Sequence, residues 1–295
     1  MKWRDRKQSR NVDDRRSSSG RSSSGRGLPS IGTLMFLWPL VKPLLRSKLG
    51  LAVVGVGAAA YFFMPGIIGG IGGSSKPANE AADDEQAAFI KTVMADTESV
   101  WGKIFSQAGE RYPAPTLVLY RGGTRSGCGP ASAGMGPFYC PGDKSVYVDL
   151  SFFKDLETKH GAGGDFAQAY VLAHEVAHHI QNLEGTLDKV QQAKQRVRGD
   201  KKENALQVMV ELQADCYAGV WANHAQKQFN ILEEGDLEEA ITAAASIGDD
   251  RLQKQAQGFA IPHTFTHGSS KQRVEWFARG VKSGLMKDCN TFSQR

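Results

Sequence analysis

Apolar positions along the chain fall into helical and strand-like patterns from about residue 85 onward. Phe89, Ile90, Val93, Val100, Ile104 and Phe105 recur at helical intervals, predicting a helix from about Glu85 to Gly109 that Pro113 and Pro115 close. Thr116-Leu-Val-Leu-Tyr120 reads as a buried strand, and Arg121 to Pro137 as a loop rich in Gly, Ser and Pro. Phe138–Cys140 and Ser145–Leu150 flank the turn Pro141-Gly-Asp-Lys144, which predicts a β-hairpin. Gly161 to Gly164 breaks the chain before Asp165, an N-cap for a helix running to about Leu183, with Gly185 at its end. Lys189 to Lys202 is polar and suits a solvated helix or connection. A long helix follows from about Glu203, with Leu206, Met209, Val210, Ala214, Tyr217 and Val220 on its apolar side. Leu237 to Ala256 predicts an alanine-rich helix, and a last one begins at Ser269 or Ser270. The expected fold class is α+β, a mostly helical domain over residues 85–295 with a small antiparallel sheet.

The first 84 residues read differently. Residues 1–30 are rich in Arg, Ser and Gly and predict a disordered basic tail. Residues 31–48 are apolar and then basic, and no charge occurs between Lys48 and Lys76. Residues 49–73 are thus long enough for a transmembrane helix in a lipid bilayer, followed by a linker over 74–84. Residues 1–48 carry +9 against a whole-chain charge of +5, so the remainder sums to −4. The positive flank puts the N-terminus in the cytoplasm and everything beyond residue 75 outside it. The acidic body gives no support to a nucleic-acid partner. Cys128, Cys140, Cys216 and Cys289 all follow the apolar stretch, and an even count in an oxidising compartment suits two disulfides. Three pairings are open. Cys128 with Cys140 would close a short loop, and Cys216 with Cys289 would tie the C-terminus to a helix.

Chemistry concentrates in Tyr170-Val-Leu-Ala-His174-Glu175-Val-Ala-His178-His179-Ile-Gln181. Residues four apart on a helix lie one above the other, so His174 and His178 aim at one point, as a Zn²⁺ site requires. Glu175 can reach a water at the metal's open position and act as general base. His179 points about 100° away and is expected behind the site or at the surface. A metzincin would need Gly and His where Gln181 and Glu184 stand. Glu211, in Glu211-Leu-Gln-Ala-Asp215, is the better third ligand, with Glu184 as the fallback. Asp215 shares its face and can orient a ligand histidine. His267 is a candidate stabiliser of the oxyanion, although a structural histidine at a helix entry reads equally well there. Tyr217 and His263 are further options. An extended peptide substrate would pair with a strand edge, and Ser145 to Leu150 is the expected edge.

The stretch from Asp165 to Gln181, together with Glu211-Leu-Gln-Ala-Asp215-Cys-Tyr-Ala-Gly219, resembles the bacterial putative neutral zinc metallopeptidase family. More distantly it resembles gluzincin peptidases, and Thr264-Phe-Thr-His267 through Arg273 loosely matches a segment near their sites. The resemblance implies His174, His178 and Glu211 as zinc ligands and Glu175 as base. It also implies a single-pass protein of the bacterial inner membrane with its catalytic domain on the periplasmic side. The expected function is a membrane-anchored zinc peptidase. The alternative is a zinc-stabilised envelope scaffold without turnover, which would have no need of Glu175.

Overall fold

Two apolar strands, β2 (Thr116–Tyr120) and β6 (Ser145–Asp149), form the middle of a four-stranded sheet in a computed structural model that describes residues 1–17 and 80–293. All of β6 and four of the five residues of β2 are buried, as befits strands covered on both faces. They run parallel, with Leu117 opposite Val146 and Leu119 opposite Val148. β1 (Val12–Asp14) pairs in parallel with the outer side of β2, and β5 (Phe138–Cys140) pairs antiparallel with the outer side of β6. The expected hairpin is present, but the sheet is mixed rather than antiparallel, because β2 and β6 are joined through a long excursion instead of a turn. Within that excursion β3 (Gly123–Ser126) and β4 (Gly129–Ser132) make a separate antiparallel ribbon where a loop was predicted. A disulfide from Cys128 at the turn of the ribbon to Cys140 ties it to β5.

Helices supply the rest of the core. α1 (Glu80–Gln107) starts earlier than its apolar pattern, with acidic residues in its first turn. α2 (Ser151–His160) follows β6, its start held by Asp149, which accepts from the Ser151 amide and hydroxyl at 2.9 and 2.7 Å. α3 (Asp165–Leu183) carries the histidine motif and is buried along almost its whole length. It packs against α1, α5 (Asp200–Phe229) and α6 (Asp236–Ser246). α4 (Thr186–Arg196) joins α3 to α5. The single helix expected over Leu237–Ala256 is two, α6 and α7 (Asp249–Gln257). The break falls at Gly248, where a Cβ would run into the backbone of Ser270.

α8 (Ser270–Ser283) begins with a capping box between Ser269 and Gln272 and lies directly on α5. Gly219 of α5 and Gly280 of α8 sit where a Cβ would strike the opposite helix's backbone, so the two backbones touch. A second disulfide, Cys216–Cys289, fastens the chain beyond α8 to α5. Both bridges are the pairings that close the short loop and the C-terminus.

The N-terminal expectations need correction. Residues 1–17 are not a disordered tail but part of the same compact unit as the domain. The Met1 ammonium lies 2.9 to 3.1 Å from carboxylate oxygens of Asp165, Glu233 and Asp236. Trp3 packs edge-on against Phe89, Arg6 pairs with Asp96 at 2.6 Å, and Arg16 pairs with Asp83 at 2.7 Å. Arg4, Arg6 and Arg16, expected in a disordered basic tail, are matched with acids of the fold. Residues 1–17 therefore share one compartment with the domain, which overturns a cytoplasmic N-terminus with the domain across a membrane. No helix among the described residues is long and apolar enough to cross a membrane. The apolar segment 31–48 and the expected transmembrane and lipid-contacting residues 49–73 lie outside the described residues.

Candidate active site

His174 and His178 stand one turn apart on the face of α3 that meets α5, their rings 4.8 Å apart and nearly perpendicular. Glu211 projects from α5 between them. Its Oε2 lies 3.3 Å from His174 Nε2 and 3.5 Å from His178 Nε2. Ligand atoms of these three side chains all fall within 4.8 Å of one another. With metal–ligand bonds of about 2.05 Å, a tetrahedral zinc site separates its ligand atoms by roughly 3.3 Å. The donor set thus fits that ion in chemistry and in spacing.

The rings are set from behind. Asp215 accepts at 2.8 Å from His174 Nδ1, and Gln181 Oε1 lies 2.8 Å from His178 Nδ1. Gln181 spends its amide hydrogens on the Val210 carbonyl and on Gln213, so its oxygen is the atom left to face His178. Both Nδ1 atoms therefore carry hydrogen, and both Nε2 atoms are the ones turned toward the cluster. Burial pulls the His174 pKa down, but Asp215 and Glu211 outweigh it and raise it to about 10. The two carboxylates thus call for a cation at Nε2, proton or metal.

Asp215 is itself anchored. Arg273 donates to both its oxygens at 2.9 Å, and the Tyr170 hydroxyl donates to Oδ1 at 2.5 Å. Burial alone would raise the Asp215 carboxyl, yet Arg273 and His174 hold it down at about 2. Arg273 is 2% exposed, and the touching backbones of α5 and α8 bring it to this depth.

Glu175 is buried beside the histidines, in the cavity that Tyr139 of β5 also lines. Burial raises its pKa above the ordinary glutamate value, against the pull of His178 and His174. His267 lines the same cavity, about 530 Å³ in volume, with Phe138 and Phe152 among the apolar walls. Asp249 holds its loop by accepting from the amides of Thr266, His267 and Gly268 at 2.6 to 3.0 Å, and lies 3.3 Å from His267 Nδ1. That hydrogen bond raises the His267 pKa, while burial opposes it.

Other expectations are redistributed. Glu184 accepts from Tyr217 at 2.9 Å, so neither joins the cluster. His263 lines a different groove with Lys201 and Phe265. His179 is fully buried, bonded through Nδ1 to the Tyr139 hydroxyl at 3.0 Å and through Nε2 to the Pro113 carbonyl at 2.6 Å. The strand edge at the cavity belongs to β5, since β6 is enclosed between β2 and β5. Asp249, Gln207 and Lys194 were not singled out by sequence. Gln207 stands one helical turn before Glu211 on α5, whereas only the break at Gly248 and the folding of α4 onto α5 bring in Asp249 and Lys194.

No solved structure matches the chain. The uncharacterized protein YpfJ of Escherichia coli K12 is 46% identical over 300 positions, covering 100% of this chain and 99% of the relative. Uncharacterized proteins Mb2605 of Mycobacterium bovis and Rv2575 of Mycobacterium tuberculosis are each 46% identical over 192 positions, 62% of this chain and 64% of each relative. The family model described as putative neutral zinc metallopeptidase matches residues 1–292. With His174, Glu175, His178 and Glu211 gathered in one cavity and that match running through both the N-terminal strand and the motif helices, the chain belongs to the putative neutral zinc metallopeptidase family.

Proposed function

We propose that this cavity hydrolyses peptide bonds, with His174, His178 and Glu211 holding zinc and Glu175 serving as general base. The observation that carries the reading is the convergence of two histidine Nε2 atoms and one carboxylate oxygen beside the buried Glu175. When bound, zinc supplies Lewis acidity and lowers the pKa of a water to about 7. Glu175, poised by burial, takes a proton from the attacking water and returns it to the departing amine. His267, whose pKa its contact with Asp249 raises, donates to the substrate carbonyl oxygen as it gains charge. An extended peptide adds to the outer edge of β5, and Phe138, Phe152 and Met135 accommodate an apolar side chain.

Glu175→Gln tests the assignment because it keeps shape and hydrogen-bonding capacity while removing the base. Metal analysis alongside a peptide-library digest should give one zinc per chain in both proteins and cleavage in the wild type alone. Zinc without cleavage by the wild type would turn the reading toward a scaffold.

A further inference from the structure

The two oxygens of Glu211 have different surroundings. Oε2 faces the histidine Nε2 atoms at 3.3 and 3.5 Å. Oε1 accepts from Gln207 Nε2 at 2.7 Å, one helical turn earlier on α5. Gln207 Oε1 in turn accepts from Lys194 Nζ at 2.6 Å, reaching across from α4. An ammonium only donates, so Lys194 fixes which way round the Gln207 amide sits. That orientation turns the NH₂ group toward Glu211.

We infer that Lys194 and Gln207 are positioning residues that engage Oε1 of Glu211 and present Oε2 alone to the metal. The inference rests on Glu211 being a zinc ligand, as proposed above. Its chemical purpose is to keep the carboxylate from binding through both oxygens. A catalytic zinc site needs one position left open to water, and a second carboxylate oxygen would occupy it. Partners placed behind a ligand in this way commonly change metal affinity by about 10- to 100-fold. In Gln207→Leu the carboxylate loses its restraint. In Lys194→Met the Gln207 amide oxygen loses its donor, and the side chain is held by Glu211 alone.

The test uses the full chain loaded with Co²⁺, whose visible absorption is strong in four-coordinate sites and weak at higher coordination. Zinc affinity is measured in parallel by competition with a chromophoric chelator. Gln207→Leu should lose most of the four-coordinate absorption and weaken zinc binding about 10-fold. Lys194→Met should move both readings in the same direction by less, and Lys194→Arg should restore them. Thermal unfolding of the metal-free variants controls for folding, and half-buried Lys194 is the milder site should Gln207→Leu not fold. Wild-type spectra and affinity in both Gln207→Leu and Lys194→Met would overturn the relay while leaving the metal assignment standing. A wild type that binds neither metal, or Glu211→Ala with undiminished affinity, would overturn the metal assignment and the relay with it.

Discussion

Individual residues at this site are tuned by what stands behind them. His267 has its pKa raised from 6.5 chiefly by its hydrogen bond to Asp249, with burial opposing. A raised histidine stabilises the fold below about 6.5, and that contribution is lost as pH rises through the higher folded value. If the protonated ring serves the reaction, the alkaline limb of the pH–rate profile follows the same group. Asp249→Asn should therefore move that limb to lower pH and leave in place the acid limb, which the proposed mechanism gives to Glu175. A profile of kcat/KM against pH for both proteins measures it, and an unmoved alkaline limb would remove His267 from the mechanism. The motif residues and Glu211 were legible because helical spacing places His174 and His178 on one face and because a carboxylate in an apolar helix needs a partner. Arg273 was marked only by the loose resemblance of its stretch and Asp249 not at all, since each reaches the site from an element whose docking angle no local pattern encodes.

At the scale of elements, the seam between α5 and α8 decides how deep the support of the site can go. Gly219 and Gly280 permit backbone contact, and this brings Arg273 within 2.9 Å of Asp215. Gly280→Ala forces a methyl group into the Cys216 carbonyl, where no flexible side chain can yield. The expected loss is about 3 kcal/mol or more, the upper range for overpacking. Gly258→Ala meets no neighbour within 4 Å and bears only the strain of φ +85°, so it should cost about 1 kcal/mol. Urea denaturation of the two variants compares them, and equal midpoints would contradict the seam. Helix positions were readable from apolar spacing, but the break at Gly248 was hidden inside an alanine-rich run that suits one continuous helix. The backbone of Ser270, twenty-two residues later, is what imposes it.

For the whole molecule, the N-terminal residues are the largest departure from expectation. β1 covers the outer side of β2, and the Met1 ammonium joins Asp165 at the start of α3 with Asp236 at the start of α6. Removing residues 1–17 should bare that strand edge and leave Asp96 and Asp83 without Arg6 and Arg16. A lowered melting temperature and faster amide exchange in β2 are the expected outcomes, whereas unchanged exchange there would show β1 to be dispensable. The sequence alone determined the helix carrying the histidines, the donor types, the paired strands of the hairpin and the family. Those properties follow from local periodicity and from what isolated side chains can ligate. Only the tertiary structure decided which strand edge faces the cavity, that the sheet is mixed, and that the basic head belongs to the fold. It also decided that Arg273 stands behind Asp215 and Asp249 behind His267, because contacts across elements depend on how those elements pack and leave no periodic trace.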